Sequence, residues 1–267
     1  MRNSNVQIVA TVGPASSELK TLSHMIEHGL DVVRFNFSWS DFEERRKQIA
    51  HIRALEGKYQ KHIPIIMDVP GPRVQDGERH TYNHENFNIL TEYDKQCIIF
   101  GIEQQIDYIA ISFVGGALDV KKCREYITTL GGTQKIISKI ERKVAVDSLQ
   151  EILDVSDAIM IARGDLGNEI PLEQIPFIEK EIIQACNNAG KPVITATQMM
   201  VSMMESSTPT RAEVTDVVFA VLEGSDAVML SEETAKGKNP DEAVAMMEKV
   251  IIESEKHTSN LKTIHTL

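Results

Sequence analysis

The chain consists almost entirely of short apolar runs that alternate with longer amphipathic stretches, and this rhythm constrains its fold more than any other feature. The apolar runs are rich in β-branched residues and lack polar alternation, which is typical of parallel strands covered on both faces. They lie at 6–12, 31–37, 64–69, 107–112, 135–140, 157–162, 192–196 and 225–230. Helical patterns lie between them, at about 17–27, 41–56, 92–103, 117–130, 144–155, 172–188, 210–222 and 241–255.

Strict alternation of this kind predicts a fold of the α/β class, a single (β/α)8 barrel of the TIM-barrel type. Right-handed βα units in that number close most economically into a barrel, and the length of 267 residues is close to that fold's usual size. An open, doubly wound sheet is the alternative. No repeat, low-complexity tract or linker divides the sequence, so we predict one domain over 1–267.

Composition narrows the range of partners. There are 28 Lys and Arg against 39 Asp and Glu, a formal charge of −11, so we expect no nucleic-acid partner. No run of about 18 apolar residues occurs, and the N-terminus leads directly into a strand pattern, so we predict neither a membrane span nor a secretory signal. Cys97, Cys123 and Cys186 fit neither a disulfide framework nor a zinc motif. Reduced thiols and a cytoplasmic location are therefore expected.

One segment breaks the rhythm. Residues 70–88 are polar, contain two prolines and show neither a helical nor a strand period. The segment is longer than a usual βα loop, so it is either a small lid or what remains after a larger insertion was lost. His80 and His84 have the spacing of metal ligands on a helix, but without a helix we favour solvated loop histidines.

In a barrel of this kind, chemistry takes place where strands end and loops begin. Polar residues at these predicted strand ends are Thr11, Arg34, Asn36, Ser38, Asp68, Ser112, Lys139, Glu141, Arg163, Asp165, Thr195, Thr197, Gln198, Ser231 and Glu233. Asn36 and Ser38 are two residues apart, as are Lys139 and Glu141, so each pair shares one face of its strand.

Two of these carboxylates, Glu141 and Asp165, are suited to a hard divalent cation such as Mg²⁺. Lys139 and Arg34 beside them provide more positive charge than one ion pair requires, which indicates a small anionic substrate. The glycines of the string at 162–171 open a short helical turn whose backbone N–H groups form an anion cradle. The alternative is that these charges only neutralise one another across the barrel mouth.

Eight strings carry a resemblance to a known family. They are ATVGPAS (10–16), VVRFNFS (32–38), MDVPGP (67–72), IISKIE (136–141), IMIARGDLGNEIP (159–171), GKPVITATQMM (190–200), PTRAEVTDV (209–217) and DAVMLSEETAKG (226–237). In this order they resemble the catalytic barrel of pyruvate kinase over nearly the whole chain.

The resemblance implies roles for individual residues. Glu141 and Asp165 would hold Mg²⁺ or Mn²⁺, and Lys139 would stabilise the phosphoryl group or the enolate. Arg34 would contact phosphate, while Thr197 and the Gly164–Asp165 backbone would hold the substrate carboxylate. The family's K⁺ site would correspond to Asn36, Ser38, Asp68 and the Val69 carbonyl.

The departures from the family pattern fall on the nucleotide side. The family carries a lid domain after the third strand, where this chain has only the short loop 76–88, and a further C-terminal domain beyond the barrel. Trp39 replaces a histidine associated with nucleotide binding, and Gln75 replaces a phosphate-binding arginine. Glu232 adds a carboxylate. The pair Glu232–Glu233 is interpreted as a solvated helix N-terminus, and Trp39 as a ring that closes part of the vacated pocket.

Three functions remain open. The leading hypothesis is a Mg²⁺-dependent enzyme that handles phosphoenolpyruvate, pyruvate or a related 2-oxo acid through an enolate, as a lyase, aldolase or decarboxylase-like catalyst. The first alternative is a reduced pyruvate kinase that transfers phosphoryl from phosphoenolpyruvate to ADP, and the second is a non-catalytic ligand sensor. Each hypothesis implies a small anionic ligand, and a homo-oligomer is compatible with all three.

Overall fold

The computed structural model describes residues 4–39, 41–76, 79–82, 89–258 and 264–267, with the side chains of 39 and 73–82 outside that description. The strands are β1 (Gln7–Thr11), β2 (Leu30–Asn36), β3 (Ile65–Val69), β4 (Arg73–Asp76), β5 (Arg79–Tyr82), β6 (Tyr108–Ile111), β7 (Lys135–Ile140), β8 (Ala158–Ala162), β9 (Val193–Ala196) and β10 (Ala227–Leu230). All eight predicted strands are present.

The predicted barrel is confirmed, and the open sheet is wrong. The strands pair in the order β1, β10, β9, β8, β7, β6, β3, β2, and the sheet closes because β1 pairs in parallel with both β2 and β10. Closure leaves this sheet without an edge strand.

Helices surround the barrel at the predicted places. They are α1 (Leu19–Glu27), α2 (Phe42–Tyr59), α3 (Glu92–Glu103), α4 (Ala117–Thr129), α5 (Lys143–Asp147), α6 (Leu149–Val155), α7 (Arg163–Leu166), α8 (Ile175–Ala189), α9 (Arg211–Glu223), α10 (Glu232–Ala235) and α11 (Pro240–Lys256). The helix predicted over 144–155 is divided at Ser148 into α5 and α6, and the pattern at 172–188 begins with a 3-10 turn before α8. No helix in the described ranges is long and apolar enough to cross a bilayer.

The irregular segment after β3 contains a hairpin, which corrects the expectation that it has no strand period. β4 and β5 pair antiparallel, with Arg73 opposite Tyr82 and Asp76 opposite Arg79. The side chain of His80 and the whole of His84 lie outside the described residues, so their predicted role stays untested.

The apolar interior has two layers. Alternate strand residues fill the barrel lumen, among them Val9, Val32, Ile66, Ala110 and Ile137. The intervening strand residues pack outward against the helices in a larger cluster. Since the side-chain period of a strand is two, the next inward position on each of these five strands lies two residues further on. Those positions are Thr11, Arg34, Asp68, Ser112 and Lys139.

The three cysteines are buried, and none of them forms a disulfide within the described residues. Burial raises the pKa of Cys97 and of Cys123 to about 12, so both thiols stay protonated at neutral pH. These cysteines therefore belong to the packed interior and not to the site.

Candidate active site

An ion-pair network joins three strand ends above the lumen. Arg34 reaches Asp68 Oδ2 through Nε at 2.8 Å and Nη2 at 2.7 Å. Lys139 Nζ lies 3.1 Å from Asp68 Oδ1. Burial opposes ionisation of Asp68, yet Arg34 and Lys139 together hold its pKa below the ordinary value. Asp68 is therefore ionised at neutral pH and fixes both cations at the barrel mouth.

Two hydroxyl groups complete this network. Ser112 donates its hydroxyl to the Val69 carbonyl at 2.8 Å and receives a hydrogen bond from Lys139 Nζ at 2.8 Å. Thr11 accepts from Arg34 Nη1 at 2.9 Å. Both residues were predicted at strand ends, without a role. Their inward position in the period-two pattern is the signal that would have found it.

Glu141 is a buried acid at the barrel mouth. Its Oε2 accepts a hydrogen bond from the Phe113 backbone N–H at 2.6 Å, and Lys139 Nζ lies 2.9 Å from Oε1. Oε1 is fully buried and accepts no well-formed hydrogen bond from the described residues. Burial raises the pKa of Glu141; Lys139 opposes that rise and the nearby charge of Asp165 adds to it. Glu141 and Asp165 interact electrostatically, and their carboxylate oxygens are the kind of ligand that a hard divalent cation takes.

The residues of the predicted anion cradle lie beside Thr197. Gly164 and Asp165 lie in α7, directly after β8, and Asp165 is half-buried. The Gly164 backbone N–H donates to Thr197 Oγ1 at 2.8 Å, so the hydroxyl and the cradle are already in contact. Thr197 has a left-handed backbone, with φ of 71°. The structure thus brings together the residues that were assigned to the substrate carboxylate.

The residues assigned to K⁺ lie together at the ends of β2 and β3, where Asn36 pairs in register with Asp68. Asn36 Oδ1 accepts the Ser38 backbone N–H at 3.0 Å, and the Val69 carbonyl accepts the Ser112 hydroxyl. Their oxygen chemistry suits a monovalent cation. However, Asp68 supplies the carboxylate charge of this set, and Arg34 and Lys139 already neutralise it.

Thr195 and Glu233 were also predicted at strand ends, but both are buried and lie outside the ion-pair network of the mouth. Thr195 is fully buried and its hydroxyl lies 2.7 Å from that of Ser225, away from the mouth, because its position on β9 alternates with the lumen residues Ile194 and Ala196. Glu233 is also buried and accepts the Ser231 N–H at 2.7 Å and the Met200 N–H at 3.0 Å.

The interpretation of Glu232–Glu233 as solvated is therefore right only for Glu232, which is exposed. Glu233 instead ties the loop after β9 to the start of α10. The side chains of Trp39 and Gln75 lie outside the described residues, so the structure does not test the nucleotide-side departures.

Fold and site together define a class: a (β/α)8 barrel that carries two close carboxylates, a lysine and an arginine at the C-terminal rim, the arrangement expected of a site for a small oxyanion and a divalent cation. Residues 3–88 and 80–244 match the family described as "Pyruvate kinase, barrel domain". The chain belongs to the pyruvate kinase family.

Individual proteins named pyruvate kinase are also similar to this chain. A protein named pyruvate kinase from Bacillus licheniformis is 36% identical over 97% of this chain and 58% of its own length. Those from Thermococcus litoralis and Thermotoga maritima are 35% and 33% identical, over 96% and 97% of this chain and 70% and 73% of their own lengths. The chain thus spans between about half and three-quarters of the curated relatives it matches. The alignment with the first of these covers 341 positions, more than the 267 residues present here.

Proposed function

We propose that this barrel binds pyruvate, phosphoenolpyruvate or a related 2-oxo acid together with Mg²⁺ or Mn²⁺ and stabilises its enolate. The observation that carries the proposal is Glu141, a buried acid whose Oε1 lacks a well-formed hydrogen bond beside Lys139 and near Asp165. Within the described residues, Oε1 has the Lys139 ammonium as its ion-pair partner and keeps lone pairs that a cation can take, which supports a site built for a cation. Glu141 and Asp165 would hold that cation. When bound, the metal polarises the carboxylate and carbonyl oxygens of the 2-oxo acid.

The charge balance of the mouth supports an enolate. Arg34 and Lys139 face Asp68, Glu141 and Asp165, so one negative charge is in excess. A divalent cation reverses this to one positive charge in excess. That surplus favours the dianionic enolate of pyruvate over the monoanionic keto acid, and catalysis requires this kind of preference for the charge that develops during reaction.

Lys139 is held so that its ammonium group can act on the reacting oxygen. Asp68, Ser112 and Glu141 surround Nζ at 3.1, 2.8 and 2.9 Å. The ammonium group is therefore oriented before substrate binds, and no reorganisation is needed as negative charge develops. Thr197 and the α7 backbone would hold the carboxylate, and Arg34 would contact a phosphate where the ligand carries one.

A pyruvate kinase activity toward ADP is the second candidate, and the names of the relatives favour it. Arg34 and Asp68, on the phosphate side, are present and paired. Against it stand Trp39 and Gln75 on the nucleotide side, and an alignment with more positions than the chain has residues. The two segments of the family match overlap at 80–88, within the loop where the resemblance implies a lid. Phosphoryl transfer depends on excluding water from the reacting group. For this reason, we favour enolate chemistry of the lyase, aldolase or decarboxylase type.

The experiment is hydrogen exchange into pyruvate. In D₂O with the protein and Mg²⁺, we expect the methyl signal of pyruvate to disappear from the ¹H NMR spectrum faster than with EDTA. Lys135→Met is the matched control, because Lys135 is exposed at the opposite end of the strand that carries Lys139. Exchange at the uncatalysed rate would contradict the proposal.

A coupled assay with phosphoenolpyruvate and ADP separates the alternatives. Pyruvate formation that depends on ADP would assign the kinase. Binding of oxalate without exchange or turnover would assign the ligand sensor. K⁺, a cytoplasmic location and a homo-oligomer remain part of the proposal, and light scattering in solution checks the last of these.

A further inference from the structure

Arg163 follows β8 directly but does not act at the mouth. Its side chain is only 8% exposed, and its guanidinium lies against Asp216, with Nη1 2.7 Å from Oδ1 and Nη2 2.7 Å from Oδ2. Nη1 also lies 3.2 Å from Glu179 Oε2. Two acids from different helices, α8 and α9, thus hold one arginine in a fixed orientation.

The remaining donors of Arg163 point to the loop after β9. Nη2 donates to the Thr197 carbonyl at 2.7 Å, and Nε donates to the Ala196 carbonyl at 3.4 Å. The guanidinium therefore holds two successive backbone carbonyls of the loop that presents Thr197. We call Arg163, Glu179 and Asp216 the clamp.

That loop adopts a backbone that its residues disfavour. Thr197 and Gln198 have φ of 71° and 55°, the left-handed region in which a β-branched residue is rare. Such strain persists only where the surroundings enforce it. The clamp is the set of contacts that enforces it here, because it fixes the carbonyl of the strained residue itself.

We propose that Arg163, oriented by Asp216, is a positioning residue that sets the Thr197 hydroxyl beside the Gly164 N–H and so forms the carboxylate-binding edge of the site. The part that concerns ligand rests on the proposed function. The part that concerns Thr197 and Gly164 does not. Asp216 is 34% exposed, and a cavity of about 430 Å³ opens beside it between α8 and α9. Removing its charge therefore does not empty a closed core.

Two measurements on Asp216→Asn test this. The first is hydrogen exchange of the Gly164 amide in ¹⁵N-glycine-labelled protein. We expect Gly164 to exchange faster in Asp216→Asn, since its acceptor is no longer held. The second is oxalate affinity in the presence of Mg²⁺, measured by calorimetry. We expect it to fall about tenfold, as misplacement of one positioned group does.

Controls separate positioning from general destabilisation. Arg163→Lys should keep a charge near Asp216 yet lose the paired donors to the carbonyls, and so should also speed Gly164 exchange. Glu173→Gln removes an exposed acid just before α8 and should change neither quantity. The melting temperature and the exchange of glycines outside the rim should stay at wild-type values in Asp216→Asn.

The outcomes are distinct. If wild-type protein binds no oxalate, the proposed function fails, while Gly164 exchange still tests the clamp. Unchanged Gly164 exchange and unchanged oxalate affinity in both Asp216→Asn and Arg163→Lys would overturn the clamp. Faster exchange at every glycine, with a lowered melting temperature, would also overturn it, since the cluster would then be structural only.

Discussion

Among the residues that the structure describes, two buried clusters bring an arginine together with acids, and the clusters differ in what surrounds the arginine. At the mouth, Arg34 shares Asp68 with Lys139, and these side chains come from inward positions of neighbouring strands. In the clamp, Arg163 meets two acids from helices and donates to backbone carbonyls. Residue types are almost the same in both. The clusters differ in the direction in which their side chains point. The side chains at the mouth point inward, where a ligand can contact them, whereas the clamp can act on a ligand only through the loop that it holds.

The largest effect is expected for Asp68→Asn, which breaks the mouth cluster. The change leaves Arg34 and Lys139 buried and facing each other without their shared anion. Removing one partner of a buried pair lowers the free energy of unfolding by about 3–5 kcal/mol. Urea denaturation at pH 7 measures this. Because the pKa of Asp68 is lowered on folding, the stability it contributes is present above its ordinary pKa and is lost as the pH falls through the folded-state value. A loss below about 1 kcal/mol would mean that the cluster is solvated.

Lys139→Met comes next and tests the mouth as a catalytic region. Removal of one positioned donor lowers a rate by about 10²–10³-fold. We expect a decrease of this order in Mg²⁺-dependent exchange of pyruvate, relative to wild type and to Lys135→Met. Exchange that persists within about threefold, a change of less than about 0.7 kcal/mol, would remove Lys139 from the reaction.

Glu141→Gln tests whether the mouth binds Mg²⁺–oxalate, measured as the stability that this ligand adds to the protein. Wild-type protein should gain about 2.7 kcal/mol at Mg²⁺–oxalate concentrations of 100 times Kd, and the variant should gain none. Since burial raises the pKa of Glu141 above its ordinary 4.5, the ionised acid opposes folding as the pH rises through that value. In wild-type protein, the stabilisation by Mg²⁺–oxalate should grow as the pH rises. A variant that still gains stability from Mg²⁺–oxalate would contradict the assignment.

The smallest effect is expected for K⁺. Asp68 is already neutralised by two cations, and both Asn36 Oδ1 and the Val69 carbonyl accept hydrogen bonds. Replacing K⁺ with tetramethylammonium should weaken Mg²⁺–oxalate binding by roughly twofold, about 0.4 kcal/mol. A change of more than tenfold would show that the four oxygens form a strong monovalent site.

The barrel could be predicted from the sequence because its strands are continuous apolar runs, a pattern that fixes both their number and their parallel pairing. The hairpin of β4 and β5 was missed although only two residues, the first of them Gly77, separate Asp76 from its partner Arg79 in the sequence, because the flanking residues are polar and do not alternate. Lys139, Glu141 and Asp68 were predicted from their place at strand ends, and their side chains lie in contact in the structure.

The sequence does not predict which side chains at the rim point inward or which of them are buried. Thr195 lies near the end of β9 and Thr197 follows that strand, yet only the residue register shows that the Thr195 side chain turns outward. Glu233 has the composition of a solvated helix start and is buried by a loop distant in sequence. No glycine at position 197 signals the left-handed backbone of Thr197, because tertiary contacts impose that conformation.

The filled lumen limits the shape of any ligand. Ala110, Ile137 and Ala196 are fully buried in the lumen, on the inward-facing side that also carries the charged groups, so the base of the mouth is apolar. Under the proposed function, the methyl group of a three-carbon acid would rest on that base. A longer acyl chain would have to extend outward between the loops, because the lumen is filled. Redesign toward larger acids should therefore begin in those loops and leave the barrel interior intact.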